Sequence, residues 1–204
     1  MSLSTSTLIN QIWKPTQSLS LVRNIMLAIA GSLLVALAAQ ITVPMWPVPM
    51  TLQTLAVLGV GAAYGSRLGA VTLALYAIEG ALGLPFFAGG QAGLINPQGL
   101  ILSSGGFIIG FIVAAWLVGK LLEQGWHSSI VKTLLAALIG AAVLYIPGLI
   151  WLAVWAAKNQ NMGAGDAVQA AISWGFTPFW VGDVVKAIIA ALAVGGASLG
   201  LAKK

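Results

Sequence analysis

The positions of the charged residues constrain this chain more than any other feature of its sequence. No Asp, Glu, Lys or Arg occurs between Arg23 and Arg67, and none occurs between Glu79 and Lys120. A full charge at the centre of a membrane helix costs about 2.5–3.5 kcal/mol, so long uncharged apolar runs are typical of segments in lipid. Only 6% of the residues are charged and 59% are hydrophobic, whereas a soluble domain has about 25% charged residues. The sequence therefore predicts a polytopic membrane protein.

Apolar segments follow one another along the chain. A spanning helix needs about 20 mostly apolar residues, and we expect helices at residues 21–41, 51–64, 68–84, 100–122, 130–157 and 178–201. The predicted fold is an all-α bundle of six transmembrane helices over residues 21–204, preceded by a polar N-terminal tail over residues 1–20. The segment at 51–64 is short, so full spanning is open there. A short additional helix is expected to begin near Asp166.

The basic residues indicate an orientation, because cytoplasmic loops carry an excess of Lys and Arg. With six helices and a cytoplasmic N-terminus, seven of the nine basic residues fall on the inner side: Lys14, Arg23, Arg67, Lys120, Lys132, Lys203 and Lys204. Both termini are then cytoplasmic, and three irregular loops, residues 42–50, 85–99 and 159–175, face outward. Irregular backbone at membrane depth is tolerated where it lines a cavity. These loops therefore predict a covered ligand pocket on the outer face.

Two charged residues within the last helix are the first candidates for ligand contact. Asp183 and Lys186 are three positions apart and share a helix face, and charges inside spans are rare and usually functional. We predict that they anchor a ligand, the alternative being an ion pair that only neutralises itself. Glu79 is a weaker candidate, since a position near the outer end of its helix is also consistent with an interfacial side chain.

Polar and aromatic side chains near the outer loops complete the predicted site. Ligand pockets are mostly apolar with a few placed polar groups, and the further candidates are Asn96, Gln91, Ser104, Trp46, Phe87, Tyr145 and Trp151. For each aromatic residue the alternative is a place in the aromatic belt at the membrane interface.

Small residues spaced four apart mark places where helices approach closely. Three such stripes occur, formed by Ala28, Ser32 and Ala36, by Gly106 and Gly110, and by Gly196 and Gly200. We predict that the first stripe binds a separate membrane partner, and packing within the bundle remains the alternative.

Several classes of function lack their motifs in this sequence. There is no Gly-x-x-x-x-Gly-Lys-Ser/Thr phosphate loop, no Cys and only one His, and no basic cluster interleaved with aromatic residues. ATP hydrolysis by that loop, thiolate or histidine metal clusters and nucleic-acid binding are therefore not expected. We expect no enzyme and no cofactor. An outward pocket without an energy source needs a partner, or it is only a facilitator.

Five motifs resemble those of one family. Residues 43–55, VPMWPVPMTLQTL, resemble the P-x-x-P-V-P-x-T-L-Q-T-L signature of BioY proteins, and residues 83–90, GLPFFAGG, resemble their G-L-P-x-F-A-G-G loop. Residues 105–111, GGFIIGF, are similar to the start of a later helix in that family. Tyr145-x-x-Gly148-x-x-Trp151-Leu152 and Gly182-Asp183-x-x-Lys186 are similar to its last two motifs. The resemblance runs in order from about Leu21 to the end.

The resemblance implies a biotin-binding S component of an energy-coupling factor (ECF) transporter in the bacterial cell (inner) membrane. It implies high-affinity biotin binding by a six-helix protein, with a separate transmembrane coupling subunit and two ATP-binding cassette ATPases as partners. In relatives the ligand is contacted by residues corresponding to Asp183 and Lys186, and more loosely to Asn96. Relatives usually have a Gly-Pro-Thr-type stretch, and some an Arg, before Gly105, where this chain has Leu-Ser-Ser. The group that meets the biotin carboxylate is left open.

Two alternatives to this function remain at the level of sequence. One is an S component for another vitamin. The other is a non-transport membrane protein, such as a helical scaffold or a small channel, although a channel predicts polar residues along a whole pore rather than at one face.

Overall fold

Helices make up most of the computed structural model, which describes residues 7–13, 20–95 and 101–202. They are α1 (Leu8–Ile12), α2 (Ser20–Gln40), α3 (Gln53–Tyr64), α4 (Ser66–Ala81), α5 (Gly105–Glu123), α6 (Ile130–Asn159), α7 (Ala164–Gly175) and α8 (Trp180–Ala202). Two 3-10 turns, Ala88–Gly90 and Trp126–Ser128, lie between them. Two short strands, β1 (Thr42–Val43) and β2 (Met50–Thr51), pair antiparallel across the Pro-rich loop, with Thr42 opposite Thr51.

The predicted apolar segments correspond to α2, α3, α4, α5, α6 and α8, and α7 is the short helix expected near Asp166. Within the described residues, four helices are long and apolar enough to cross a membrane: Ser20–Gln40, Gly105–Glu123, Ile130–Asn159 and Trp180–Gly200. The other two are shorter, with 12 residues in α3 and 16 in α4. At 1.5 Å per residue they are about 18 and 24 Å long, against a hydrocarbon core of about 30 Å. Six spans therefore stay a prediction.

Helix α5 packs closely against its neighbours because glycines lie at the contacts. A Cβ placed on Gly110 would lie 2.6 Å from the Leu144 backbone oxygen, and one on Gly106 would lie 2.3 Å from that of Pro147, both in α6. On the other side, Gly119 lies against the backbone of Ser66 at the start of α4. The prediction of a close approach at Gly106 and Gly110 is confirmed.

The third stripe of small residues does not mark a helix contact. A Cβ placed on Gly196 or Gly200 would have no described atom within 4 Å. The prediction of close approach at these two positions is wrong, because this face of α8 points away from the other helices, while Gly195 on another face contacts Thr133 of α6.

The first stripe of small residues faces the interior of the bundle. Ala28, Ser32 and Ala36 are all buried, and the Ser32 hydroxyl donates a hydrogen bond to the carboxylate of Glu79 in α4. Leu27 and Val35 are buried on the same side, and the exposed large apolar residues of α2, such as Leu21, Ile25 and Leu37, lie on its other faces. The three residues therefore pack within the chain, which was the alternative left open, and binding of a partner by this stripe stays a prediction.

The N-terminal region contains a helix that the sequence did not predict. Five residues form α1, and the guanidinium of Arg23 in α2 donates to the Trp13 carbonyl at 2.6 Å and to Asn10 Oδ1 at 2.9 Å. The described part of the predicted polar tail is thus tied to the end of the bundle.

We expect Gly110→Ala to lower the free energy of unfolding by about 1–3 kcal/mol, because the added methyl group overlaps a backbone atom that cannot turn aside. Gly196→Ala is the matched control, since its site in α8 is open. That change should raise the free energy of unfolding by about 0.4–1 kcal/mol through lower backbone entropy in the unfolded chain. Denaturant titration of both variants in detergent measures the difference, and equal effects would contradict the close-packing account.

Candidate ligand-binding site

A pocket lies at the end of the bundle where α3, α5 and α8 begin. The space between its walls, including its open mouth, is about 520 Å³. Its apolar side chains are Val48, Pro49, Ala88, Phe107, Ile108, Phe111, Leu144 and Phe179. Its polar side chains are Thr51, Gln53, Thr54, Ser104, Tyr145, Asp183 and Lys186.

A buried charged group forms one wall of this pocket. Asp183 is 4% exposed and Lys186 is 7% exposed. The Lys186 ammonium donates to Asp183 Oδ1 at 2.9 Å, and the Tyr145 hydroxyl donates to Oδ2 at 2.5 Å. Asp183 lies in the first turn of α8, where the helix dipole favours a negative charge. The self-neutralising ion pair and the pocket position predicted for these residues therefore occur together.

The charged group has capacity left for a ligand. Each carboxylate oxygen can accept two hydrogen bonds and an ammonium can donate three. Among the described residues, each oxygen of Asp183 accepts one hydrogen bond and Lys186 donates one. A neutral ligand that both donates and accepts fits this arrangement.

The motif around Tyr145 builds the pocket from α6. Tyr145 lies edge-on to Phe107 and Phe176, with ring centroids 6.2 and 5.1 Å away. One turn later, Gly148 makes room for the Phe107 ring, since a Cβ there would lie 2.5 Å from it. A further turn on, Trp151 Nε1 donates to the Leu102 carbonyl at 2.7 Å and so positions the segment before α5.

A hydrogen-bonded chain holds the start of α3, where sequence reasoning placed no site residue. Gln53 is buried, and its Nε2 donates to the Tyr76 hydroxyl at 2.6 Å, which in turn donates to the Phe86 carbonyl at 3.1 Å. Thr51 Oγ1 donates to Gln53 Oε1 at 3.1 Å. The Pro-rich segment is thereby joined to α4 and to the Gly-rich loop. The T-L-Q-T motif at residues 51–54 was the signal that could have identified Thr51 and Gln53.

The structure brings together four of the predicted ligand residues, Asp183, Lys186, Tyr145 and Ser104. Other predicted residues do not line the pocket. Gln91 is exposed and borders a separate groove beside Leu102 and Trp155. Asn96 lies outside the described residues.

The remaining aromatic candidates have packing roles. Phe87 is 1% exposed and packs edge-on against Tyr76, in space left by Gly80. Trp46 is 64% exposed and its ring contacts those of Trp155 and Trp174, with centroids 5.9 and 5.0 Å away. Trp46, Phe87 and Trp151 were predicted to line the pocket, and the structure does not place them there. Each of these side chains contacts another protein group instead. Besides Tyr145, three aromatic residues line the pocket that were not predicted as site residues: Phe107, Phe111 and Phe179.

The fold and the pocket define a helical membrane protein with a mainly apolar pocket and a buried charged pair at one end. The model of the BioY family matches residues 9–202, and the chain belongs to that family.

Individual relatives agree with this membership. The chain is 36% identical to the probable biotin transporter BioY of Pyrococcus horikoshii, covering 78% of this chain and 86% of the relative. It is 34% identical to the biotin transporter BioY of Thermotoga maritima, over the same shares of both chains. It is 35% identical to the biotin transporter BioY of Rhodobacter capsulatus, covering 83% and 90%.

The fold matches that of a solved structure. The crystal structure of the S-component for biotin from an ECF-type ABC transporter superposes with a TM-score of 0.71 and covers 93% of this chain and 96% of its own. Sequence identity in this match is 21%, so the match bears on the fold alone.

Removal of one partner of the buried pair should destabilise the protein more than removal of both charges. We expect Lys186→Met or Asp183→Asn to lower the free energy of unfolding by about 3–5 kcal/mol each, because each leaves a buried polar group without its partner. The double variant Asp183→Asn/Lys186→Met should lose clearly less than the sum. Denaturant titration of all four proteins without ligand gives the coupling, and strictly additive losses would show that the pair does not interact.

Proposed function

We propose that this chain binds biotin in the pocket and is the S component of an ECF-type vitamin transporter. Membership of the BioY family, relatives that are named biotin transporters and a fold like that of a biotin S-component support this proposal. The observation that carries it is the Asp183–Lys186–Tyr145 group in the wall of a mainly apolar pocket.

The chemistry of biotin matches the two kinds of surface in the pocket. Its ureido ring carries two N–H donors and one carbonyl oxygen, and its thioether ring is apolar. We assign the ureido N–H groups to Asp183, because a carboxylate acceptor makes the stronger, charge-assisted kind of hydrogen bond. Lys186 donates to the ureido oxygen while it balances Asp183. Phe107 and Phe179 cover the apolar ring.

The carboxylate of biotin needs donors elsewhere in the pocket. The hydroxyl groups of Thr54 and Ser104 line it, and neither makes a hydrogen bond to the described residues. We assign the carboxylate to these hydroxyls. Neutral donors at this position would compensate for the missing basic residue before Gly105.

The proposed topology has six spans with both termini in the cytoplasm of a bacterial cell, whose inner membrane holds the protein. The transmembrane domain covers residues 21–204 and the tail residues 1–20. The distribution of basic residues supports this orientation, since Arg23, Arg67 and Lys120 lie near helix ends opposite the pocket. A separate coupling subunit and two ATP-binding cassette ATPases energise uptake, because the chain has no phosphate loop of its own.

Equilibrium binding of radiolabelled biotin to the purified protein tests the proposal directly. Asp183→Asn should weaken binding by one to two decades, since loss of a charge-assisted hydrogen bond costs about 1.5–3 kcal/mol. Tyr145→Phe keeps both charges and should weaken binding less, through a less ordered carboxylate. Glu79→Gln is the control, because Glu79 contacts Ser32 and does not line the pocket.

Two results would contradict the assignment. Equal affinities for the parent, Asp183→Asn and Glu79→Gln would make Asp183 a structural residue only. Absence of saturable biotin binding by the parent would favour a scaffold, or an S component for another vitamin if a different vitamin binds.

The loops around the pocket should become protected when biotin binds. Ser103 Oγ donates to the Pro47 carbonyl at 2.6 Å, which joins the segment before α5 to the Pro-rich loop. Lids commonly close over ligands to exclude water. Hydrogen exchange should slow in residues 42–50 and 85–95 with saturating biotin, while α6 residues distant from the pocket serve as the internal control. Unchanged exchange in both loops would indicate a preformed, open site.

A further inference from the structure

A second cavity lies at the end of the bundle opposite the biotin pocket. It is bordered by α1, the start of α2, the turn between α3 and α4, and the end of α5, and its space including the mouth is about 890 Å³. We propose that it binds the phosphate headgroup of an anionic phospholipid. This site is independent of the proposed biotin site and of its outcome.

Arg23 is the centre of the proposed headgroup site. It lines the cavity, is 6% exposed, and donates to Asn10 Oδ1, to Asn24 Oδ1 and to the Trp13 carbonyl. All of these acceptors are neutral, and within the described part of the chain no carboxylate lies within 4.0 Å of its guanidinium. Buried charges normally have a counter-charge. An anion in the cavity would supply it, and the neutral acceptors already hold the guanidinium in place.

The charges around the cavity favour an anion. Arg67 and Lys120 line it with exposed side chains, and neither forms an ion pair with a described residue. The acidic side chain that lines it is Glu123, whose two oxygens accept hydrogen bonds at 2.7 Å from the backbone N–H and the hydroxyl of Ser66. Three basic side chains therefore line the cavity, and the one acidic side chain in its lining already accepts two hydrogen bonds.

An unused donor lies in the same wall. Thr7 borders the cavity, and its Oγ1 is buried without a hydrogen-bond partner among the described residues. A buried hydroxyl left unpaired costs free energy. A phosphate oxygen in the cavity would accept a hydrogen bond from it.

The surroundings favour a lipid over a soluble phosphate. Next to Arg23, the outward side chains of α2 are apolar, with Leu21 70% and Val22 51% exposed, and Val71 on α4 is 58% exposed. Acyl chains lie against such surfaces while the headgroup meets the basic residues at the helix ends, as in basic pockets that bind anionic headgroups on the cytoplasmic side. A free anion would use the cavity but not these apolar faces.

Lipid binding to the purified full-length protein tests the proposal. Native mass spectrometry or a thermal-shift titration should show phosphatidylglycerol bound at least about tenfold more tightly than phosphatidylcholine with the same acyl chains. Arg67→Gln/Lys120→Gln should reduce that affinity by about tenfold or more, since each basic group near anionic lipid is worth about a factor of five. Arg23→Gln should abolish the preference. If that variant does not fold, the Arg67/Lys120 pair decides, because both side chains are exposed.

The control removes the same charge elsewhere. Lys132→Gln/Lys158→Gln changes two exposed basic residues that do not line the cavity, and it should leave the preference within about twofold. An equal loss in this control, or equal binding of the two lipids by the parent, would overturn the proposal. Displacement of phosphatidylglycerol by sn-glycerol 3-phosphate at similar concentration would also overturn it, in favour of a soluble anion.

Discussion

Direct contact between the backbones of α5 and its neighbours sets the geometry of both ends of this protein. Gly106 and Gly110 bring α5 against α6 at Pro147 and Leu144, and Gly119 brings it against the start of α4. In lipid the hydrophobic effect does not drive helices together. Close packing between helices is therefore a principal cause of their association. Tyr145 follows Leu144 in α6, so the close approach of α5 and α6 places Tyr145 beside Phe107 of α5. In that position its hydroxyl donates to Asp183 of α8.

The two ends of the bundle satisfy buried charge in different ways. Near the start of α8, Asp183 has a charged partner and a tyrosine hydroxyl. At the opposite end, the acceptors that Arg23 has among the described residues are amide and carbonyl oxygens. In the first arrangement the two charges balance each other, and both groups keep hydrogen-bonding capacity for a ligand. In the second, the neutral acceptors leave the positive charge unbalanced, which is why we propose an anion there.

Sequence reasoning found the helices and the charged pair because both have strong local signals. Uncharged apolar runs define the segments, and two charges three residues apart inside such a run are conspicuous. The aromatic residues were assigned less well, because their roles depend on distant glycines. Phe87 is in the core because Gly80 leaves space for it, and Trp151 packs over Gly105 and Gly106. Spacing alone also could not show that Ser32 faces Glu79, 47 residues away, rather than another protein.

The single residue between α3 and α4 has a consequence for how the chain enters the membrane. Gly65, with φ of 83°, is the one residue that separates a 12-residue helix from a 16-residue helix, and Gly69 lies against Gly61 across the turn. Either helix alone is shorter than the hydrocarbon core. In the proposed six-span topology, we therefore expect the two helices to enter the bilayer together as one hairpin, with Gly65 at its tip.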